Sequence, residues 1–246
     1  MKTKKTGKTM RVAGLLLALV LVTSCFVGGT FAKYVTKAGG ASNEARVAKW
    51  GVTVVATGNS EVFSNEYKDP MNKKTTVKAE VGETNYKLVA PGTKKENVAT
   101  ITLKGQPEVA VKVDYHAVLH LNGWNYNAGT NPADAEFYCP LIFTITVDGT
   151  ETKVNGLDMN SANDLETKVT EIITQLSKEY EPNTNLGTVA SGHEVKVSWE
   201  WPFEDTATGA KQTDVKDTYL GDQAAKGGLS TPTVTFGMSA TVTQID

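Results

Sequence analysis

Val109-Ala110-Val111-Lys112-Val113-Asp114-Tyr115-His116-Ala117-Val118-Leu119-His120-Leu121 is the stretch that decides how this chain folds. Val109, Val111, Val113, Tyr115, Ala117, Leu119 and Leu121 share one parity, and Ala110, Lys112, Asp114, His116, Val118 and His120 share the other. Side chains alternate across a strand, so this is a sheet wall with one face on a core and one towards water.

The same signature recurs on both sides of it. Strand-like runs occur at Val47–Ala56, Tyr86–Val89, Val98–Leu103, Leu141–Val147, Thr150–Val154, Val195–Trp201 and Val234–Ile245. Turn dipeptides separate them: Pro91-Gly92, Lys104-Gly105, Asn122-Gly123, Asp148-Gly149 and Ser191-Gly192. Asp148-Gly149 between two strand-like runs is the clearest hairpin signal. The expected class is mainly β, a two-sheet sandwich, because a single sheet would leave an apolar face uncovered.

One segment carries a helical period. Leu165, Val169, Ile172, Ile173, Leu176 and Tyr180 recur at three- and four-residue spacing within Ala162–Tyr180. Asn163 followed by Glu166 resembles a capping box, and Pro182 stops the run. The expected role is a helix covering an open end or face of the sandwich. Asn122–Glu136 and Glu204–Thr231 read as loops, the second holding a short helix, Asp217–Ala225, with Asp217 as its N-cap.

Residue types that carry chemistry are sparse. His116 and His120 have the spacing of a zinc helix, but Ala117 stands where that motif needs its glutamate base. In a strand, residues four apart lie about 13 Å from each other. That is too far for two ligands of one zinc, which bind at about 2 Å. His193 precedes a strand, and no Gly-x-Ser-x-Gly elbow or phosphate-binding glycine loop accompanies it. Glu204-Asp205 and the pair Asp214 and Asp217 lack the spacing of a calcium loop. No catalytic residue, metal or cofactor is expected. Trp199 and Trp201, two apart, share one face of a strand with Val195 and Val197. Exposed, they form a platform for polysaccharide; buried, they anchor the core, and their continuity with the valines favours the core.

The N-terminus specifies export. Lys2, Lys4, Lys5, Lys8 and Arg11 precede an apolar run from Val12 to Val27, then Gly28-Gly29-Thr30-Phe31-Ala32. Thr30 and Ala32 occupy the −3 and −1 positions of a cleavage site, which frees Lys33 as the new terminus. A membrane anchor is the alternative, but sixteen helical residues span about 24 Å against a hydrocarbon layer of about 30 Å. Val22-Thr23-Ser24-Cys25 loosely resembles a lipobox, though Phe26 and Val27 continue apolar where a lipoprotein turns polar. The chain ends at Gln244-Ile245-Asp246 with no sorting motif, so covalent wall anchoring is not expected.

Cleavage leaves 214 of the 246 residues, enough for one domain, with 20 basic against 27 acidic side chains and a net charge of −7. That sign disfavours a nucleic-acid partner. Cys139 is then the lone cysteine, which excludes an internal disulfide.

These features together resemble the TasA/camelysin family of secreted proteins of Gram-positive bacteria. Gly28-Gly29-Thr30-Phe31-Ala32-Lys33-Tyr34 is similar to the signal cut by the SipW-type signal peptidase. Ala45-Arg46-Val47-Ala48-Lys49-Trp50-Gly51-Val52, Leu88-Val89-Ala90-Pro91-Gly92-Thr93, Trp199-Glu200-Trp201-Pro202-Phe203 and Asp217-Thr218-Tyr219-Leu220-Gly221 are the internal matches, in the family's order.

The resemblance implies a jelly-roll-like sandwich (residues 45–246) behind a signal peptide (1–32) and a flexible N-terminal segment (33–44). It implies a structural protein of the biofilm matrix or cell surface, without enzymatic activity, that assembles head to tail with itself by donating an N-terminal strand. Lys33, Tyr34, Val35, Val47, Trp50 and Val52 fall in that assembly strand, with Ala38-Gly39-Gly40-Ala41-Ser42 as hinge. Other matrix proteins or polysaccharide are further partners it admits. Camelysin is classed as a metallopeptidase, but no metal-binding triad carries over onto this chain.

Overall fold

The computed structural model describes residues 35–39, 43–46, 51–58, 62–68, 76–80, 87–127, 129, 131–188, 192–203, 214–228 and 231–245. The chain divides into two units at Tyr34–Val35, and all described residues belong to the second, Val35–Asp246. Thr30, Ala32, Lys33, Tyr34, Val47 and Trp50 lie outside the described residues.

The first strands are β1 (Val35–Gly39), β2 (Asn43–Arg46), β3 (Val52–Thr57), β4 (Glu66–Tyr67) and β5 (Val77–Lys78). The central ones are β6 (Lys94–Gly105), β7 (Val111–Asn122), β8 (Asn125–Tyr126), β9 (Glu136–Phe137), β10 (Ile142–Val147) and β11 (Thr150–Asn155). Helix α1 (Ala162–Thr174) follows, then β12 (Lys178–Tyr180), β13 (His193–Glu200), helix α2 (Asp214–Lys226) and β14 (Thr233–Gln244).

Two antiparallel sheets dominate. One has the order β1-β14-β7-β12, the other β11-β10-β13-β6-β3-β2. The alternation of Val109–Leu121 sorts the two faces of β7: Val111, Val113, Tyr115, Leu119 and Leu121 are buried and Ala117 partly so, while His116, Val118 and His120 are exposed. Phe236, Met238, Ala240 and Val242 of β14 are buried beside them. The second sheet contributes Val54, Ile101, Leu103, Phe143, Ile145, Val195 and Val197. Phe143 of one sheet and Phe236 of the other meet with ring centroids 6.3 Å apart, so the core lies between the two sheets.

Helix α1 plugs one flank. Leu165, Val169 and Ile173, four residues apart in turn, are fully buried on its inner stripe. The helix packs along β7 and reaches β10 and β11. Its N-cap is Ser161, whose side chain accepts the N–H of Asp164, and not Asn163. It also stops at Thr174, short of the expected Tyr180. The open edge of β7 explains this, since its main-chain groups need partners. Tyr115 N–H donates to Ser177 Oγ (2.9 Å), Leu121 N–H donates to Glu166 Oε1 (2.6 Å), and Lys178–Tyr180 pairs with Val111–Val113. Leu176 and Tyr180 fit a helical stripe by spacing, but the demand of the sheet edge prevails.

Other expected boundaries differ as well. Of the expected strand Val47–Ala56, Val52–Ala56 lies in β3 and Gly51, just before it, has φ +61, while 47–50 lie outside the described residues. Of Tyr86–Val89, Tyr86 lies outside the described residues, and Leu88 forms an isolated bridge with Ser64. Helix α2 begins at Asp214, so Asp217 lies inside it and does not cap it.

Candidate functional site

The segment expected to be flexible and hinged is paired at both ends. β1 lies on the edge of the first sheet, with Val35 opposite Thr243 and Gly39 opposite Ser239 of β14. β2 lies on the edge of the second, with Asn43 opposite Ala56 and Arg46 opposite Thr53 of β3. Ala38 and Gly39, placed in the hinge by the sequence reading, are therefore strand residues. A short stretch of chain thus closes the same flank of both sheets, opposite the flank plugged by α1. β1 has one strand neighbour and covers only the C-terminal part of the twelve-residue β14. Val52, also assigned to assembly, is buried at the start of β3.

The internal motifs converge on one structural cluster. Gly92 N–H donates to Trp201 O (2.7 Å) and Trp201 N–H donates to Thr93 O (2.8 Å), which ties Leu88–Thr93 to Trp199–Phe203. Thr93, fully buried, closes its own turn by donating Oγ1–H to Ala90 O at 2.7 Å. Gly92 has φ +83, and a Cβ there would lie 2.0 Å from the ring of Phe203, so only glycine fits.

Both tryptophans are core residues, 2% and 4% exposed. The Trp199 indole N–H donates to Val62 O (2.9 Å), and its ring packs against Phe63 and Tyr67 with centroids 5.3 and 5.9 Å away. Trp201 packs against Trp124 at 5.6 Å, and its Nε1 has no hydrogen-bond partner among the described residues. Neither ring presents a face to a sugar. The fourth motif docks α2: Asp217 accepts the Tyr138 hydroxyl (2.8 Å), Leu220 is buried, and Tyr219 meets Tyr126 edge-on at 5.3 Å.

The titratable residues are dispersed. His116 and His120 sit on the outward face of β7, and His120 Nδ1 lies 3.4 Å from Glu166. Among the described residues, no three His, Cys, Asp or Glu side chains gather in a way that could hold a metal. Cys139 is fully buried, and burial pushes its thiol up to about 12. His193 Nδ1 contacts Asp148 Oδ2 at 2.8 Å, and Asp148 Oδ1 accepts the Glu194 N–H at 2.7 Å. Partial burial alone would raise the Asp148 carboxyl, but the Glu194 N–H and the His193 ring outweigh it and hold it below its ordinary value.

Sequence reasoning missed one concavity. Tyr126, Asn127, Asp214, Val215, Tyr219 and Asp222 line an open groove of about 430 Å³ between α2 and β8. Beside it, Lys216 Nζ sits 5.2 Å from the ring centroids of both Tyr126 and Tyr138 and pairs with Glu136. Only the Asp-Thr-Tyr-Leu-Gly motif signalled it, because the two walls are far apart in sequence. No family profile, curated protein or solved structure matches the chain.

Proposed function

We propose that this protein is an exported structural component of an extracellular matrix or cell surface, with a jelly-roll-like sandwich that assembles by exchanging its N-terminal strand between copies. One observation carries the reading. β1 is an edge strand at the very start of the Val35–Asp246 unit, paired among the described residues only to β14, so it can leave without drawing any other strand through the core. A departing β1 uncovers a ready-made acceptor edge on β14, and main-chain pairing with the β1 of a neighbour restores it. A donor that occupies the next copy in turn makes a head-to-tail contact that does not close.

The export signal at residues 1–32 supplies the trigger in this account. Cleavage after Ala32 by a SipW-type signal peptidase frees the chain just ahead of β1. The reading assigns no catalytic role to any residue.

Electron microscopy of protein beginning at Lys33, beside protein beginning at Asn43, tests it. The first is expected to form filaments. The second, which keeps β2 but lacks β1, is expected to stay unassembled. Filaments of equal abundance from both would remove β1 from the assembly mechanism.

A further inference from the structure

We propose that β11 is a second, independent interaction surface, which pairs edge to edge with β11 of another copy around a twofold axis through Thr152. β11 is the outer strand of the six-stranded sheet, on the flank away from β1 and β2. It runs in unbroken register with β10, from Val147 opposite Thr150 to Ile142 opposite Asn155. Thr150, Glu151, Thr152 and Lys153 are exposed, so both faces of this part of the strand are open.

The turn sets which main-chain groups point outward. Asp148 at φ +48 and Gly149 at φ +87 form the two-residue, primed turn of a tight hairpin. In such a hairpin the flanking pair, Val147 and Thr150, exchange both main-chain hydrogen bonds. The antiparallel alternation then turns the N–H and C=O groups of Glu151 and Lys153 away from β10. Among the described residues, nothing hydrogen-bonds those outward groups. The turn is also held rigidly, since Asp148 N–H donates to Glu194 O (2.9 Å) and its carboxylate receives Glu194 N–H and faces His193. The edge is therefore preorganised and not a loose tip.

Its charge pattern selects the partner. An edge carrying one sign of charge repels its own copy, which is a common defence against sheet extension. Here the sequence is Glu151-Thr152-Lys153. An antiparallel second copy centred on Thr152 sets Glu151 opposite Lys153 of that copy, twice. Those are the residues whose main-chain groups face outward, so each pair also exchanges two hydrogen bonds. Thr152 meets Thr152 of the second copy at the close, non-hydrogen-bonded position, where threonine pairs are favourable. The Lys153 ammonium is free to respond, because its contact with Glu200 is long (3.9 Å) and its own side chain is mostly exposed. The match is isologous, so it closes as a dimer. On any filament built through β1 it would join two filaments side by side, but it does not depend on that assembly.

Sedimentation velocity over a concentration series, on full-length protein, tests the pairing, with circular dichroism as a check on folding. The wild type is expected to show a concentration-dependent dimer. Lys153→Glu and Glu151→Lys each turn two attractive cross-strand pairs repulsive, so each is expected to weaken dimerisation by at least about tenfold. An equimolar mixture of the two folded variants regains complementarity and is expected to form a heterodimer. A wild type monomeric throughout the series, single variants that dimerise as well as wild type, or a mixture that stays monomeric would each overturn the proposal.

Discussion

At the scale of single residues, the two tryptophans do different work despite equal burial. Trp199 has its indole N–H on Val62 O, whereas the Nε1 of Trp201 is buried without a partner among the described residues. Phenylalanine at either site loses volume and leaves a similar cavity. Only at position 199 does it also remove a hydrogen bond, the one donated to Val62 O. Trp199→Phe is therefore expected to cost about 1 kcal/mol more than Trp201→Phe in urea unfolding. An equal or reversed order would show that the Val62 contact adds nothing. The identity of this face was legible in advance, since Val195, Val197, Trp199 and Trp201 share a parity. The partners were not, because Val62 and Trp124 lie 137 and 77 positions from the rings they meet and no local pattern encodes such distances.

At the scale of elements, strands and turns were far more legible than ends. Val109–Leu121 reads as a wall by alternation alone, and β7 occupies it almost in full. Asp148-Gly149 reads as a hairpin because that pair suits positive φ at both central positions, which the turn adopts. What sequence missed was β12, whose three residues form a strand only because β7 has an edge to satisfy. The short pairs β4–β5 and β8–β9 are likewise products of tertiary context.

The hairpin turn also makes stability depend on pH. Asp148 is held below its ordinary value when folded, so its charged form favours the native state above the ordinary carboxylate range of about 4. That contribution is lost as pH falls through the lower native value. Asp148→Asn keeps a residue suited to the turn but cannot titrate. Denaturant unfolding is expected to show a shallower acid-side loss for the variant than for wild type, between about pH 5 and pH 2. Identical slopes would mean that the contacts with Glu194 and His193 do not bear on folding.

At the scale of the whole molecule, the two flanks of the sandwich have different characters. One is plugged by α1, whose apolar stripe is part of the core. The other is closed by β1 and β2, which are near in sequence and lie at the start of the Val35–Asp246 unit. The sequence reading expects a flexible N-terminal segment donated to a neighbouring copy; within a single chain it pairs instead with both sheets. Val35–Gly39 is too short and too mixed in composition to announce a strand by period. Its order comes from the unpaired edge of β14. The internal motifs at Leu88–Thr93, Trp199–Phe203 and Asp217–Gly221 are each accounted for by packing.

The central claim is that the β1–β14 pairing passes between copies. Cysteines at Lys37 and Thr241, which face each other in that register, test it most directly. Directly opposed residues of an antiparallel pair lie within disulfide reach. Native Cys139 is fully buried, so it offers no competing thiol. Oxidation of Lys37→Cys, Thr241→Cys protein after filaments have formed is expected to give a ladder of covalent multimers. Oxidation before assembly is expected to lock monomers that no longer form filaments. Filaments whose cross-links all fall within single chains would contradict strand exchange.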